Sequence, residues 1–379
     1  MKTTATITIV GAGVIGAAIA YELSRALSAA IVVLEARSET EFAATGAALG
    51  VLIVQLSRRR RGRNFQLRQA SLARYDTLIP ELEAATGVEI PYQRRGILEV
   101  LTTPEAAIAT QSWLAIHSDP SLEWLEPAAV VSEFPMINPQ VVHGALWAKG
   151  DRQVHPRRLT AALRQAAQQQ GVEFWYHSKV LEVKQAGEQP LQLRLETGTL
   201  TTEYLILAAG LGTTPLAQQI NHPVLLQPVL GQALEFGWAA PPTLPVLTAE
   251  DLHLVPVDPH RVWVGATVEG DRSTGDSQAL ATLREQASHL WPALKTAPLL
   301  RHWQGLRPRP CDRPAPVIEQ LQPRVWVASG HYRNGILLAP ITAQLVRQAL
   351  EEHLALGKGH KAQQPVSDPS ENSDTKTSP

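Results

Sequence analysis

Three glycines near the start of the chain have the spacing of a dinucleotide-binding loop. Gly11, Gly13 and Gly16 form a G-x-G-x-x-G motif directly after a β-branched run. In such a loop the first glycine permits a tight turn, the second lets the backbone approach a pyrophosphate, and the third lets the following helix pack closely. Glu35 stands nineteen residues past Gly16 and ends the next β-branched run, where a carboxylate can bind a ribose diol. The carboxylate disfavours a 2′-phosphate, although the neighbouring Arg37 leaves that alternative open.

Two later segments also carry groups that can act on a ligand. Residues 305–314 read GLRPRPCDRP, and prolines at this density exclude a helix and hold an extended chain that can aim a guanidinium. Residues 330–340 read GHYRNGILLAP in front of a helical pattern. We expect Pro340 in the first turn of that closing helix, which is predicted to end near Leu356. The turn at Asn334 and Gly335 would then present free amides at a positive dipole end.

Small residues mark two further places where the backbone could approach a flat ligand. Residues 43–50 read AATGAALG, and the hydroxyl of Thr45 could meet a phosphate. This stretch fits a tight helix contact equally well. The apolar strand over residues 205–207 ends in Ala208, Ala209 and Gly210, which fits either a second approach to the nucleotide or a plain strand-to-loop junction.

The elements around these motifs predict an α/β fold with two interleaved domains. Strand and helix patterns alternate around the first glycine loop, which favours a Rossmann-like domain built from residues 1–87, 146–220 and 304–356. Short strands and turns dominate residues 88–145 and 221–303, which predicts a separate antiparallel-sheet α+β domain. The polar residues 357–379 are predicted to be a disordered tail.

Composition sets the limits on other functions. The 379 residues are 44% hydrophobic and 18% charged with a formal net charge of −1, so a sizeable core is expected, and charge gives no general attraction to nucleic acid. The single cysteine excludes an internal disulfide framework, and the twelve histidines show no metal-ligand spacing. The longest apolar run, over residues 47–56, is half of what a membrane span needs. We therefore expect no metal, no nucleic acid, no membrane span and a cytoplasmic location.

A run of arginines remains without an assigned role. Residues 57–63 contain five arginines in seven positions, without interleaved aromatic residues. Such a run inside a neutral protein is typical of a solvated loop, although a patch for nucleic acid or lipid is the alternative.

Taken together, the motifs resemble the D-amino-acid oxidase family of flavoproteins. The resemblance extends over about residues 5–355. It rests on the first glycine loop with Glu35, on residues 44–48, 207–210 and 305–308, and most specifically on residues 330–340. It implies FAD rather than NAD, bound in a domain that a sheet-based substrate domain interrupts twice. Cys311 does not match the cysteine that tethers the flavin in some members, so non-covalent FAD is expected.

The resemblance also implies which residues bind the cofactor and the substrate. By matching motif to motif, Arg307 would bind the substrate carboxylate with Arg333 beside it, and Arg307 and Arg333 would also lie against the flavin. His253 stands where the family has a substrate-facing tyrosine, so it could bind the carboxylate side, bind the amine side, or be a structural histidine. The remaining predicted FAD-binding residues are Gly11, Gly13, Val14, Ile15, Gly16, Glu35, Ala36, Thr45, Gly46, Ala47, Ala48, Gly50, Val180, Ala209, Gly210, His331, Asn334, Gly335, Ile336 and Leu337.

The implied reaction is the oxidative deamination of a small amino acid or amine. The substrate would become an imine that water hydrolyses to an oxo acid and ammonia, and oxygen would reoxidise the flavin with release of hydrogen peroxide. Within the family the chain is most similar to the members that oxidise glycine for thiamine biosynthesis. Two alternatives stay open: a D-amino-acid or sarcosine oxidase or dehydrogenase with another electron acceptor, and a non-catalytic flavin-binding partner protein. The sequence also leaves a homo-oligomer open.

Overall fold

The structure is a computed structural model that describes residues 3–117, 119–184, 189–238, 244–270, 272 and 274–361. Within these residues the strands are β1 (Thr4–Val10), β2 (Ile31–Leu34), β3 (Val51–Leu52), β4 (Tyr92–Gln93), β5 (Ile97–Val100), β6 (Leu122–Leu125), β7 (Ala145–Ala148), β8 (Arg152–Val154), β9 (Glu173–Trp175), β10 (Val180–Lys184), β11 (Leu191–Leu195), β12 (Gly198–Leu207), β13 (Leu226–Gly237), β14 (Val246–Ala249), β15 (Leu252–Asp258), β16 (Arg261–Gly265), β17 (Glu269–Gly270), β18 (Leu299–Pro310), β19 (Val317–Gln322) and β20 (Val325–Ser329). The α-helices of the same residues are α1 (Val14–Ala26), α2 (Ala44–Ala47), α3 (Arg63–Thr86), α4 (Pro104–Ile116), α5 (Pro127–Glu133), α6 (Pro156–Gln169), α7 (Thr213–Gln219), α8 (Ser277–Leu290) and α9 (Gly335–Lys361). None of these helices combines the length and apolar composition needed to cross a bilayer.

An eight-stranded sheet contains the first glycine loop. Its parallel strands are β9, β2, β1, β12 and β20, in that order, and β10, β11 and β19 add antiparallel edges. Every residue of β2 is buried, as expected for a parallel strand that is covered on both faces. The sheet confirms the predicted α/β fold class.

Four helices cover one face of this sheet. Helix α1 packs against α6 and α9, and α3 packs against the same two helices. Ala17 and Ala20 of α1 are fully buried and small, so the neighbouring backbones approach closely. Burial of a single large aliphatic side chain such as Ile19 stabilises the fold by about 1.5–3 kcal/mol.

A nine-stranded, mainly antiparallel sheet forms the other large layer. Its order is β17-β13-β16-β15-β14-β5-β7-β6, and β18 pairs along almost the whole of β13. Helices α5 and α8 contribute Val130, Leu283 and Leu290 to its buried face. Strands β7 and β18 belong to this sheet and extend across the predicted boundaries at residues 145/146 and 303/304. The division into two domains stays a prediction.

Helix α9 corrects the expectation for Pro340. The helix begins at Gly335, so Pro340 lies inside it and not in its first turn. Proline has no N–H and its ring displaces the carbonyl four residues earlier. Tyr75 Oη of α3 donates to that carbonyl, Ile336 O, at 2.5 Å. Ser71 Oγ donates to Leu337 O at 2.6 Å and accepts from the amide of Ile341 at 3.3 Å.

The two α3 side chains therefore stabilise a proline inside α9, a tertiary effect that the sequence pattern does not show. Helix α9 also continues to Lys361, past the predicted end at Leu356. The rest of the predicted tail, residues 362–379, lies outside the described residues.

Candidate functional site

Most of the predicted site residues line one cavity of about 810 Å³. Its walls include the residues that follow four parallel strands: Gly11 after β1, Glu35 after β2, Ala208 after β12 and Gly330 after β20. Ligands of open α/β sheets bind at this carboxyl edge. Residues of the nine-stranded sheet, His253 and Arg307 among them, line the same cavity.

The first glycine loop forms a cradle in which a side chain would not fit. Gly11 has φ +108°, and a Cβ there would lie 2.5 Å from Ala208 O. A Cβ on Gly16 would lie 1.8 Å from Gly11 O, so this glycine lets α1 pack against the turn. Gly16 is not part of the cavity wall, whereas Gly11, Gly13, Val14 and Ile15 are.

Thr45 joins the loop to α2. The amide of Val14 donates to Thr45 Oγ1 at 3.1 Å, and a Cβ on Gly13 would lie 3.2 Å from the same oxygen. Thr45, Ala47, Ala48 and Gly50 line the cavity. Gly46 does not line it, since it packs against Phe42, whose Cβ lies 2.4 Å from where a Cβ on Gly46 would stand.

The carboxylate of Glu35 is held beside the loop by backbone amides. Its two oxygens accept hydrogen bonds from Ala12 N at 2.9 Å and from Arg37 N at 3.1 Å. Glu35 lines the cavity together with Ala36, Arg37 and Val180. A carboxylate oxygen has two lone-pair directions, so Glu35 keeps acceptor capacity for a ligand hydroxyl.

Arg164 binds a carbonyl of the loop, lines the same cavity and was not predicted. It is buried in α6, donates through Nε and Nη2 to Ala12 O at 2.8 and 2.6 Å, and reaches Glu39 O through Nη1 at 2.8 Å. Its sequence signal was faint: an arginine inside the buried stripe of an amphipathic helix, between Leu163 and Ala167. Only the fold shows that this stripe faces a carbonyl of the loop.

The late segments meet the same cavity from the opposite side. Gly210 and Gly330 both have positive φ, +58° and +66°, and both line the cavity beside Ala209. Ser329 Oγ donates to Gly210 O at 3.2 Å, which joins the ends of β12 and β20. His331 is buried with its Nε2 2.9 Å from Thr342 Oγ1, and burial lowers its pKa to about 3, so the ring is neutral.

The predicted residues around the start of α9 fall into two groups, those that line the cavity and those that do not. Gly335, Ile336 and Arg333 line the cavity. Asn334 and Leu337 do not: the amide of Asn334 donates to His331 O at 3.0 Å, and the side chain of Leu337 is buried in the core.

Arg307 places a partly buried positive charge at the far end of the cavity. Its Nη1 donates to Leu230 O at 3.1 Å and to Thr267 O at 3.0 Å. A Cβ on Gly231 would lie 2.2 Å from Nη2, so the guanidinium lies across this glycine. Burial, followed by the nearby Arg333, lowers the pKa of Arg307. Among the described residues no carboxylate lies within ion-pair distance of Arg307.

Two groups flank this guanidinium. Arg333 pairs with the exposed Asp251 at 2.9 Å. His253 Nδ1 lies 2.9 Å from Thr248 Oγ1, and the pKa of His253 falls to about 4 because of burial first and the positive charge of Arg333 second. All three predicted substrate residues, Arg307, Arg333 and His253, therefore lie on one cavity.

The arginine run lies elsewhere on the molecule. Arg58 pairs with Glu99 at 2.7 Å, and Arg60 pairs with Asp119. Both guanidinium groups also stand 5.1 Å from the ring centroid of Trp113. Arg58 and Arg60, two of the five arginines, thus hold this segment against α4.

Comparison with known proteins decides the family. The family model described as DAO, FAD dependent oxidoreductase, matches residues 6–349. The chain belongs to this family. FAD is therefore its cofactor, and it is an oxidoreductase, as the sequence motifs predicted.

Relatives in this FAD-dependent family match over nearly the whole chain. The glycine oxidase of Geobacillus kaustophilus is 29% identical over 355 residues, 91% of this chain and 92% of that protein. Its crystal structure superposes with a TM-score of 0.84 and 27% identity, covering 93% of this chain and 95% of that one. The bifunctional protein ThiO/ThiG of Synechocystis is 32% identical over 354 residues, 91% of this chain but 51% of the longer protein.

The residues present fit FAD. The loop cradle excludes Cβ atoms at Gly11 and Gly16 and leaves backbone close to the cavity, as a pyrophosphate requires. Cys311 is exposed and does not line the cavity, which fits non-covalent binding.

Proposed function

We propose that this protein oxidises a small amino acid, glycine in the first place, to the imine and then the oxo acid and ammonia. Molecular oxygen is the proposed acceptor, which gives hydrogen peroxide. The names of the relatives support the substrate, since the proteins from Geobacillus kaustophilus and Bacillus subtilis are glycine oxidases. We further propose that the product supplies thiamine thiazole synthesis in the cytoplasm.

The observation that carries the proposal is the partly buried guanidinium of Arg307, which has no carboxylate partner among the described residues. The Nη1 group of Arg307 is occupied by two backbone carbonyls, which fix the plane of the guanidinium. Nε and Nη2 have no hydrogen-bond partner among the described residues, and together they form one edge that can bind a carboxylate through two parallel bonds. An anionic ligand would offset the cost of desolvating this charge.

The residues that would hold FAD follow the length of the cavity. The Gly11–Gly16 loop with the start of α1 would face the pyrophosphate, Glu35 the ribose, and Gly335 with Ile336 the ring system. Bound FAD supplies the two-electron acceptor that no side chain can supply. At the start of α9, backbone amides and the helix dipole favour negative charge near Gly335.

A small substrate agrees with how closely the two layers approach. A Cβ on Gly305 would lie 2.4 Å from the Cβ of Ala47, and one on Gly265 would lie 3.1 Å from Leu49 Cδ1. These contacts bring α2 and its following loop onto the sheet face that carries Arg307. Close approach of the two layers favours a substrate with a small side chain, such as glycine.

The test is a substrate panel on the purified yellow protein. Glycine, sarcosine, D-alanine and L-proline are added without air while flavin absorbance is followed, and then with air while oxygen uptake and peroxide are measured. We expect glycine to bleach the flavin and air to restore it with one peroxide per turnover. A dehydrogenase would reduce a dye but leave oxygen unused, and a non-catalytic partner protein would not be bleached by any compound of the panel.

A further inference from the structure

His253 and Arg307 lie on the same face of the nine-stranded sheet. His253 is opposite Gly265, Gly265 is opposite Ala233, and Ala233 is two residues from Gly231. Val229, which is two residues from Gly231 on the other side along β13, is opposite Arg307. Directly opposed residues of antiparallel strands share a face, and so do residues two apart along one strand. Both side chains therefore project toward the cavity that they line.

The distance between the two groups suits one small molecule. The guanidinium of Arg307 lies over Gly231 on β13, which is two strands away from His253 on β15. With strands about 4.8 Å apart and the two-residue offset, the backbone positions are about 10–12 Å apart. The imidazole covers part of that distance, and hydrogen bonds of about 3 Å at each end leave room for a molecule as small as glycine.

The hydrogen bonds around Thr248 determine which nitrogen of His253 carries the proton. Thr248 Oγ1 donates its only proton to Leu252 O at 2.9 Å. In its contact with His253 Nδ1, also 2.9 Å, the hydroxyl must therefore accept, so Nδ1 carries the hydrogen. In a neutral ring Nε2 is then an unprotonated acceptor, and the described residues offer it no hydrogen-bond partner.

The surrounding charges keep the ring neutral. Burial, Arg333 and Arg307 lower the pKa of His253 to about 4, against an opposing contribution from Asp251. The ring therefore carries one proton and no net charge at neutral pH. A bare nitrogen lone pair repels a carboxylate oxygen and accepts from an N–H group.

We propose that His253 Nε2 binds the amine of the substrate while Arg307 binds its carboxylate, and that Thr248 is a positioning residue that sets the imidazole tautomer. This rests on the proposed function and deepens it. It selects the amine side among the three roles that the sequence left open for His253. The arrangement would hold the substrate amine as a hydrogen-bond donor at a defined distance from its carboxylate.

The test compares a ligand that has an amine with one that lacks it. The holoprotein is titrated with glycine without air, which gives an apparent Kd and a limiting rate of flavin reduction, and with acetate, followed by the change in flavin absorbance. In His253→Phe we expect the glycine Kd to rise about tenfold or more, and the acetate Kd to change by less than about twofold. His253→Gln, which keeps an acceptor at similar reach, should restore glycine binding to within about threefold of wild type.

Two variants of Thr248 form a matched pair. They separate a role in setting the tautomer from a role in packing alone. Thr248→Val removes the acceptor for Nδ1–H, and Thr248→Ser keeps it. We expect the valine variant to weaken glycine but not acetate, and the serine variant to match wild type. In ¹⁵N-histidine spectra, with His253→Gln as the reference for assignment, the wild-type ring should show a protonated Nδ1 and a bare Nε2.

Three results would overturn the inference. They are an equal loss of glycine and acetate binding in His253→Phe, an unchanged glycine Kd in that variant, or the opposite tautomer in the spectra. If the wild-type flavin is not bleached by glycine or any other small amino acid, the proposed function fails first and this inference fails with it. Bleaching in wild type with unaltered behaviour in both His253 variants would refute the inference alone.

Discussion

The two ends of the cavity are built on different principles. At the end near Gly11, the contacts come mainly from backbone and from residues that lie close together in the chain, such as Val14, Thr45 and Glu35. At the end near Arg307, they come from side chains that β13, β15, β18 and the segment after β20 bring together. The first end therefore depends mainly on how closely the backbone can approach the ligand, and the second depends mainly on the charge and polarity of side chains.

This difference follows from what each ligand part requires. A pyrophosphate is bound by backbone amides and a helix dipole, which every residue type except proline can provide as long as no Cβ interferes. A small carboxylate with an amine is recognised by specific donors and acceptors, for which the side chain matters. Substitutions at the two ends should therefore change different measured quantities.

The largest effect is expected at Gly16. In Gly16→Ala the new Cβ would stand 1.8 Å from Gly11 O, and a backbone carbonyl cannot move away without opening the turn. We expect a loss of about 3 kcal/mol or more in the free energy of unfolding, together with loss of bound FAD. Chemical denaturation and flavin content measure the two effects. Gly270→Ala is the control, because its Cβ would meet no atom within 4 Å and Gly270 does not line the cavity.

Arg307→Ala should come next and should change mainly substrate binding. Loss of the charge-assisted pair is expected to raise the apparent glycine constant by about a hundredfold or more, with FAD content near wild type. Steady-state oxygen uptake across a glycine series measures it. Arg309→Ala, which changes an exposed arginine two residues away, should behave as wild type. Normal glycine saturation in Arg307→Ala would remove the proposed carboxylate site.

Tyr75→Phe tests the start of α9, where Gly335 and Ile336 line the cavity. Pro340 has no N–H that could donate to Ile336 O, and the phenol of Tyr75 donates to this carbonyl instead. Its removal should cost about 1–3 kcal/mol of unfolding free energy. Tyr92→Phe, whose phenol donates to Asp76 in an exposed position, should cost much less in the same denaturation experiment. Equal losses of unfolding free energy in the two variants would show that the Tyr75 hydrogen bond stabilises the protein no more than the exposed one.

The smallest effect is expected from Glu35→Ala. It removes acceptors for Ala12 N and for a ribose hydroxyl, so FAD should dissociate about tenfold more readily while the order of preferred substrates stays the same. Equilibrium dialysis measures the FAD affinity, and the substrate panel measures the order of preferred substrates. Unchanged FAD affinity would contradict the ribose assignment. A changed substrate order would show that the two ends of the cavity do not act separately.

Prediction from sequence succeeded best at the first end. The glycine loop, α1 and the strand that leads to Glu35 are consecutive, so spacing and periodicity describe them directly. Pro340 shows where such reasoning fails: a local rule placed it in a first turn, yet Ser71 and Tyr75 of a distant helix let α9 continue through it. Arg164 was missed for a related reason, since its partner Ala12 O lies 152 residues away in the chain.

The amino-acid sequence alone determined the dinucleotide loop, the α/β fold class and the family resemblance, because these depend on local spacing and on backbone freedom at glycine. Only the tertiary structure decided that Arg307 lies over Gly231 with no carboxylate partner in the described part of the chain, and that Thr248 Oγ1 lies 2.9 Å from Nδ1 of His253. Strand pairing brings these residues together across a sheet, and no local rule in the chain encodes which strands become neighbours.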